Sequence, residues 1–447
     1  MEDVLQLPGE VEIVNLALVS FAQNKYVNLQ DYLSELNIYE SIFNPVLSGT
    51  LTLSDSRNLV QEFAFVGDEY LIMTIKTPGL DIDYSISKAF KLYGLQNKSY
   101  VNDGSTLLYQ LNFSSIEQFN DLANPIYRSF EGKPEDIITQ IFVDYLQADR
   151  NVTIEGEIPT EIKSPITILS ESDNTIKFVS PGWTPVQCIN WIASKTLPKN
   201  NKAANFLFWE TTKGFYFGSM DSIYENPEAI TTGEYVFSQS YINSLKSDER
   251  SKSMFAIKSL RIDKTYDQLE NNMSGYLSNR LIDVDLYNKK YENVDYDHGA
   301  NFKNYSHSVQ QNPVPLFSAD IVRNPQAYTE INYKHSKLYD ENDNNFDTST
   351  KHIFGNRRSN MLELQNFSME VVIPGRTDIE AGTIINIKMP KKTPGALTSE
   401  DKNDYRDDML YSGYYLITSI NHKINLKTHY ITMTVVRDSF ASKEVTE

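Results

Sequence analysis

Two of the six histidines lie close together near the C-terminus, in the stretch SINHKINLKTHYI at residues 419–431. A turn centred on residues 425–426 would fold this stretch into a hairpin and place His422 directly opposite His429. Opposed residues on paired strands have Cβ atoms about 4.5–5.5 Å apart, so both rings could bind one metal ion. Three hypotheses follow: a metal site, a catalytic pair, or an ordinary hairpin.

The neighbours of this pair argue against metal binding. A zinc site needs three or four ligands, and catalytic zinc sites usually carry a carboxylate or further histidines near the first two. Here the neighbours are Lys423, Lys427 and threonines, and a lysine repels a cation. Asn-Leu is also not a preferred two-residue hairpin turn, which leaves the register open. We interpret His422 and His429 as polar residues at strand ends, and the sequence predicts no metal and no cofactor.

The other candidates for catalysis also lack a complete site. Asp283 with Asp285, and Asp295 with Asp297, are carboxylates two residues apart on possible strands, so they cannot flank a sugar bond from opposite sides. Cys188 falls in the middle of a predicted helix rather than at its N-terminus, the position that would activate it. No phosphate loop, dinucleotide fingerprint, GxSxG elbow or HExxH motif occurs. The sequence therefore predicts that the protein is not an enzyme.

Length and charge limit the function classes further. A chain of 447 residues predicts two to four domains of roughly 100–200 residues each. The net charge of -18 argues against a basic surface for nucleic acid, and one cysteine excludes an internal disulfide framework. The acidic start MEDVLQLPGE and the lack of a run of about 20 apolar residues predict a soluble, intracellularly made protein.

Strand patterns dominate both ends of the chain. In the first 115 residues, short β-rich runs alternate with Gly, Asn and Asp, which is typical of an antiparallel sandwich or barrel. Next, KPEDIITQIFVDYL and WTPVQCINWIASK predict helices, the second with Thr184 as N-cap and Pro185 at its first position. NFLFWETTKGFYFGS predicts a hairpin. Residues 246–354 are rich in Asn, Asp, Tyr and Lys, and predict short strands and long polar loops.

The two β-rich ends resemble each other. Gly67 precedes a strand that runs to Thr-Pro-Gly at residues 77–79, and Gly382 precedes one that runs to Thr-Pro-Gly at residues 393–395. In both, a hairpin of similar length follows after a gap. Because order and spacing agree as well as residue types, we favour a duplicated β-barrel over chance.

The second end has a more specific pattern. A strand runs into Pro-Gly, then come Gly, an apolar strand, a loop, Gly-x-Tyr, an alternating strand with His, a turn, and a Tyr-Thr-rich strand ending in Arg. The residues at these positions are Pro374, Gly375, Gly382, Gly413, Tyr415, His422, Tyr430, Thr432 and Arg437. This pattern resembles the closing barrel of tail hub proteins from contractile-tailed bacteriophages, a family that includes the N-terminal part of type VI secretion spike proteins.

The resemblance continues upstream. LSGTLTLSDSRNLVQEFAFVGDEYLIMTI is similar to the first barrel of these hubs, where a strand ends in Asp-Ser, here at Asp55, and Gly-x-Glu, here Gly67 and Glu69, opens the next strand. The stretch from residue 262 to 292 resembles the insertion segment of the baseplate central hub in large myophages. The resemblance thus covers most of the chain.

The resemblance implies a fold that is mainly β with some α (α+β). Two similar antiparallel β-barrel domains with intervening insertion domains are expected to assemble as a trimeric, pseudo-six-fold ring. Its implied domains are a first barrel at 1–115, an α+β insertion at 116–204, a second barrel at 205–245 plus 355–447, and a polar Asn/Tyr-rich insertion at 246–354.

The implied function is structural: the central hub of a phage tail baseplate, which adapts the three-fold spike to the six-fold tail tube and forms a channel for DNA. Its implied partners are two further copies of itself, the central spike or cell-puncturing protein, the tail tube initiator protein, the tape-measure protein and the baseplate wedge proteins. DNA would pass without specific binding, and the protein would be assembled in the host cytoplasm into the virion. The alternative hypothesis, suggested by 28 tyrosines and polar loops, is a host-surface carbohydrate-binding attachment protein.

Overall fold

The computed structural model describes most of the chain and is mainly β within the part it describes. The described residues are 7–20, 25–63, 65–80, 84–101, 104–147, 149–152, 160–199, 202–225, 231–237, 253–265, 267–308, 312–313, 328–334, 346–389, 408 and 410–440. The second Thr-Pro-Gly of the predicted repeat, at residues 393–395, lies outside them. None of the described helices is long and apolar enough to cross a membrane.

The first end of the chain forms seven strands around one apolar core. They are β1 (Glu12–Ser20), β2 (Lys25–Asn28), β3 (Leu33–Ser41), β4 (Ser48–Asp55), β5 (Tyr70–Lys76), β6 (Ile86–Val101) and β7 (Thr106–Ser115), with a 3-10 turn at Gln30–Tyr32 and helix α1 (Leu59–Phe63). In β4, side chains alternate between buried and half-buried, so one face of the strand packs inward. Leu51, Phe90 and Phe113 are among the fully buried residues of this core.

The next segment packs helices against a hairpin. Its elements are α2 (Ile116–Ala123), β8 (Ser129–Gly132), α3 (Pro134–Ile141), a π-helical turn (Phe142–Leu146), β9 (Asp149–Val152), β10 (Thr160–Lys163), β11 (Ile166–Ile168), β12 (Ile176–Val179), α4 (Pro185–Ser194), β13 (Phe206–Glu210), β14 (Phe215–Ser219) and α5 (Met220–Tyr224). The predicted helices and hairpin are confirmed, and Thr184 caps α4 through a capping box with Gln187. One core joins Phe208 and Phe215 of the hairpin to Ile138 and Ile189 of α3 and α4.

The part of the chain from residue 231 to 363 contains two strands of the large sheet, a small separate sheet and a long helix. The two strands are β15 (Thr231–Val236) and β16 (Ser259–Lys264). They are followed by α6 (Gln268–Ser274), β17 (Ser278–Asp285), β18 (Lys290–Asp297), α7 (His298–Asn301), a 3-10 turn (Phe302–Asn304), β19 (Asn312–Pro313), β20 (Thr329–Lys334) and α8 (Phe346–Glu363). Polar loops were expected, but the last element is an 18-residue helix that crosses the predicted boundary at residue 355. Sequence reasoning missed it because its apolar residues form no stripe at helical spacing.

The second end completes the large sheet with β21 (Ser368–Pro374), β22 (Ile384–Lys388), β23 (Gly413–Ile424) and β24 (His429–Val436), followed by β25 (Ser439–Phe440). The two ends share a strand order. In the first end the order is β3-β4-β7-β6-β5-β1, and in the second end it is β16-β21-β24-β23-β22-β15. One difference is that β1 pairs with β5 antiparallel, whereas β15 pairs with β22 parallel.

Neither half is closed by a continuous ladder within the described residues. The second half comes nearest, because the Ile257 N–H donates to the Val236 carbonyl at 3.0 Å and the Lys258 N–H to the Val372 carbonyl at 2.8 Å. Through these two bonds, the residues just before β16 connect the end of β15 to β21. The antiparallel, mainly β prediction is confirmed, while closed barrels and the four domain boundaries stay predictions.

Candidate functional site

The two halves meet along a backbone ladder, which makes them one sheet. Strands β3 and β23 pair antiparallel from Ser41 with Ser419 to Leu36 with Ile424. Nearby, Thr77 and Thr377 form a reciprocal pair of hydrogen bonds. The Thr77 N–H donates to the Thr377 hydroxyl at 3.3 Å, and the Thr377 N–H donates to the Thr77 hydroxyl at 3.1 Å. The residues at this junction are the first candidate functional site, because they determine how the halves are held.

The histidine pair lies at the junction, in a register that differs from the predicted one. Ile424, not His422, pairs with His429, and His422 pairs with Ile431. The reason is a four-residue turn at 425–428, in which the Asn425 side-chain oxygen accepts the backbone N–H groups of the third and fourth turn residues. The predicted direct opposition is wrong, yet the rings still meet diagonally, with His422 Nδ1 3.1 Å from His429 Nε2.

Both residues lie near strand ends, His422 close to the end of β23 and His429 at the start of β24, but both rings are fully buried. Beside them lies Glu40, whose two oxygens accept the Thr212 N–H at 3.0 Å and the Ala381 N–H at 2.9 Å. His422 Nε2 lies 3.7 Å from Glu40 Oε1. Neutral tautomers fit this geometry: His429 donates its Nε2–H to His422 Nδ1, and His422 points its Nε2–H toward Glu40.

The same geometry lowers the pKa values of Glu40 and His429. Burial would raise the pKa of Glu40, but the neighbouring His422 ring and the two backbone N–H groups that donate to Glu40 lower it overall. Burial and the neighbouring His422 hold the pKa of His429 well below its usual 6.5. The cluster is therefore built to keep Glu40 ionised and His429 neutral.

A second buried network attaches the β13–β14 hairpin to the first half. Glu210 Oε2 accepts the Leu47 N–H at 2.7 Å and the Ser115 hydroxyl at 2.5 Å. Its Oε1 accepts Lys88 Nζ, which also donates to the Thr211 carbonyl at 3.1 Å. Sequence reasoning missed this pair, although a single acidic residue between the two aromatic strands of the hairpin was a visible signal.

Three of the predicted signature residues form one cluster. The Arg437 side chain is fully buried, and its NH1 donates to the carbonyls of Leu410 and Ser412, both at 3.1 Å. Its guanidinium lies 5.5 Å from the ring centre of Tyr415. Gly413 packs against the guanidinium, and a Cβ there would lie 3.4 Å from it. These residues anchor the loop before β23 to the end of β24.

The remaining signature residues are dispersed and structural. Asp55 accepts the Arg57 N–H at 2.9 Å, and Glu69 accepts the Val66 and Gly67 N–H groups at 2.7 and 2.8 Å. Both carboxylates therefore stabilise turns. The others pack against neighbours or lie on a strand: Gly382 against Trp209, the Tyr430 ring under Lys258, and Thr432 in β24.

Pro374 and Gly375 lie at the junction, next to His429. The Gly375 N–H donates to the His429 carbonyl at 2.8 Å, and a Cβ on Gly375 would lie 2.0 Å from the ring carbon Cγ of His429. The approach is possible only for glycine, because the buried ring has no room to move away.

We expect the Gly375→Ala substitution to destabilise the protein by about 1–3 kcal/mol, since an overpacked core forces side chains and backbone to shift. The matched control is Gly94→Ala in β6, where the nearest atom to a new Cβ is Asn112 Nδ2 at 3.5 Å, an ordinary contact. Urea unfolding of both variants gives the measurement. Equal midpoints for the two variants would contradict the steric argument.

The outer strands of the large sheet are a further candidate site. Strands β16 and β2 are two of its three terminal strands, the third being β15, and among the described residues no further strand pairs with the outer sides of β16 and β2. Strand β16 is largely exposed, and its Ile262 side chain is 37% exposed. Unpaired strand edges are ready-made pairing surfaces for another chain.

Comparisons with known proteins address the fold. No family model matches the sequence, and no curated protein matches it either. Among solved structures, the crystal structure of a tail protein from Neisseria meningitidis aligns over 95% of this chain and 97% of that chain, with a TM-score of 0.52 and 10% identity. The chain shares the fold of this tail protein. The prediction of a tail-protein fold is thereby confirmed.

Two further structures align over most of this chain. The 43 kDa tail protein of prophage MuSo2 from Shewanella oneidensis aligns over 95% of this chain and 98% of that chain, with a TM-score of 0.48 and 11% identity. A type VI secretion component from E. coli aligns over 98% of this chain and 79% of that chain, with a TM-score of 0.38 and 7% identity.

Proposed function

We propose that the protein is a structural, non-enzymatic component of a phage tail baseplate, and specifically its central hub. The observation that supports this most is the repeated strand order, in which both halves share one continuous sheet. A chain with two similar halves could connect a three-fold spike to a six-fold tube. Three chains would present six similar surfaces, and a closed ring of unlike contacts leaves no open ends.

In this proposal each half is a barrel of the ring, and β16 and β2 are the edges that pair with neighbouring subunits. The partners are the spike, the tail tube initiator, the tape-measure and the wedge proteins, in the virion after assembly in the host cytoplasm. A trimer carries three times the net charge of -18, so acidic groups at the lumen would let DNA slide past without binding.

The test is the mass of the purified chain in solution, measured by light scattering alone and with the cognate spike protein. We expect a trimer in at least one sample, and ring particles with near-six-fold symmetry in electron micrographs. Monomers in both samples would contradict the hub proposal.

A variant pair tests the edge contact in the sample that forms trimers. Ile262→Lys places a charge on the edge strand β16 and is expected to raise the trimer dissociation constant by about tenfold or more. Leu269→Lys places the same charge on α6, where the side chain is 78% exposed, and is expected to leave the trimer intact. Equal dissociation constants would exclude β16 from the interface.

One observation favours the carbohydrate-binding alternative. Tyr291 and Tyr333 both pair with Val284, so they lie on the same face of the β18-β17-β20 sheet, and they are 73% and 66% exposed. Exposed aromatic rings can stack on sugar rings. Saturable binding on a glycan array that is lost in Tyr291→Ala and Tyr333→Ala would support this function, and a monomer would then be compatible with it.

A further inference from the structure

Three ligand-type side chains that are distant in sequence meet in the interior. Atoms of His307, Glu363 and Asp438 that can bind a metal all lie within 4.8 Å of one another, and all three residues are buried. They come from the segment after the Phe302–Asn304 turn, the end of α8 and the residue before β25. The sequence predicted no metal, because the candidates it offered were side chains close together along the chain, such as His422 and His429.

The ring of His307 is oriented as a metal ligand would be. Its Nε2 lies 2.7 Å from the Phe302 carbonyl, which can only accept, so Nε2 carries the hydrogen. Nδ1 lies 2.8 Å from Asp438 Oδ2, a hydrogen-bond distance, so without a metal a proton joins the two atoms. A metal ion would take the place of that proton. A ring nitrogen held by a backbone carbonyl is the usual support of a histidine ligand.

The two carboxylates are also held in place from outside. Asp438 Oδ1 accepts the Ser308 N–H at 3.0 Å and the Ser439 hydroxyl at 2.9 Å, which leaves Oδ2 directed at His307. Glu363 Oε1 lies 3.2 Å from His298 Nε2 and 3.4 Å from the Tyr276 hydroxyl. Both side chains therefore reach the centre with fixed orientations.

An independent observation points to a bound group at this centre. The Tyr224 hydroxyl is buried and has no hydrogen-bond partner, and Asp221 Oδ2 and His298 Nδ1 are in the same condition. Burial, and after it the charges of Asp438 and Glu363, raise the pKa of Tyr224. Buried polar atoms are rarely left without partners, so an ion or an ordered water beside the Tyr224 hydroxyl would satisfy it.

We propose that His307 Nδ1, a Glu363 oxygen and Asp438 Oδ2 bind one divalent transition-metal ion, for which Zn²⁺ is the best match. Imidazole favours Zn²⁺ over Mg²⁺ and Ca²⁺, and two carboxylates with one neutral imidazole balance its charge. A water or the Tyr224 hydroxyl would complete a tetrahedral site. The ion would fasten the end of β24 to α8 and to the second insertion, whatever the function of the protein.

The experiment uses the full, untagged chain, stripped with EDTA and then dialysed with or without Zn²⁺. Mass spectrometry of the metal content is expected to give about one Zn²⁺ per chain, and the midpoint of thermal unfolding is expected to rise with Zn²⁺. A Co²⁺-loaded sample should show the visible absorption bands of a tetrahedral site. No retained metal above the buffer blank, together with an unchanged midpoint, would overturn the proposal.

Two variants test the carboxylate ligands, and a third serves as the control. Glu363→Gln and Asp438→Asn are expected to weaken Zn²⁺ binding at least tenfold, because each removes a charged oxygen ligand. The matched control is Glu40→Gln, which changes a carboxylate that is equally buried and also faces a histidine, and it should retain one Zn²⁺. Binding of Zn²⁺ by both ligand variants with the affinity of the natural chain would overturn the assignment, and if they fail to fold, the Co²⁺ spectrum decides.

Discussion

Replacing Glu210 with glutamine is expected to lower the free energy of unfolding by about 3–5 kcal/mol, the usual cost of removing one partner from a buried ion pair. Glu210 is fully buried and Lys88 nearly so. Glutamine keeps the size and can still accept the Leu47 N–H, but its amide N–H₂ would face the Lys88 ammonium. The cost therefore comes from a buried positive charge that has lost its compensating carboxylate.

Two controls separate this cause from simple disruption. The double variant Lys88→Met/Glu210→Gln is expected to recover part of the loss, because no uncompensated charge stays buried. Glu12→Gln removes a partner of Lys76 at 2.9 Å, but those side chains are 47% and 21% exposed, so the cost is expected to stay below about 1 kcal/mol. Urea unfolding of the four proteins measures this. A double variant less stable than the single one would contradict the electrostatic explanation.

The second large effect is a loss of stability in mild acid that depends on His429. In the folded protein its pKa lies well below 6.5, whereas in the unfolded chain it returns to about 6.5. Below pH 6.5 the unfolded state therefore binds a proton at this residue that the folded state does not bind, so the free energy of unfolding falls as pH falls. The slope from this one group approaches about 1.4 kcal/mol per pH unit.

The variant His429→Gln removes this titration. Between about pH 6.5 and 4.5 we therefore expect the slope of the free energy of unfolding against pH to decrease by up to about 1.4 kcal/mol per pH unit, the contribution of one proton. Glu117 acts in the opposite direction, since burial and the charge of Glu210 raise its pKa to about 7, but it does so in both proteins. The comparison of slopes isolates His429. The exposed His352 provides the control His352→Gln.

Unfolding midpoints in urea across this pH range give the three slopes. If His429→Gln and the natural chain lose stability in parallel, the buried pair does not control the acid response. If His352→Gln also flattens the curve, the effect belongs to histidines in general rather than to the junction.

Local patterns predicted the elements whose causes are local. Thr184 and Pro185 mark the start of α4 because capping depends on residues a few positions apart, and the aromatic hairpin at 206–219 follows from its turn. The contact between His422 and His429 was predicted, but not its register. Register depends on the turn length, and Asn425 selected a four-residue turn through its side-chain bonds.

Nonlocal contacts could not be predicted in this way. Glu210 and Lys88 are 122 residues apart, and His307 and Asp438 are 131 apart, so no spacing rule connects them. Helix α8 has no apolar stripe, and the partners that hold it come from distant segments: Asn279 of β17 donates to the Gly355 carbonyl, and Arg357 donates to the Ala204 carbonyl. Tertiary contacts therefore determine these two buried pairs and the position of α8, and the local sequence does not predict such contacts.

The ladder between β3 and β23 has a consequence for dividing the chain. Each half, expressed without the other, would expose the strand edge that the ladder from Leu36 with Ile424 to Ser41 with Ser419 covers in the whole protein. Such unpaired strand edges recruit other chains and promote aggregation. The internal repeat therefore does not mark two separable modules: truncation between them would yield insoluble fragments, and soluble shortened forms must retain both strands.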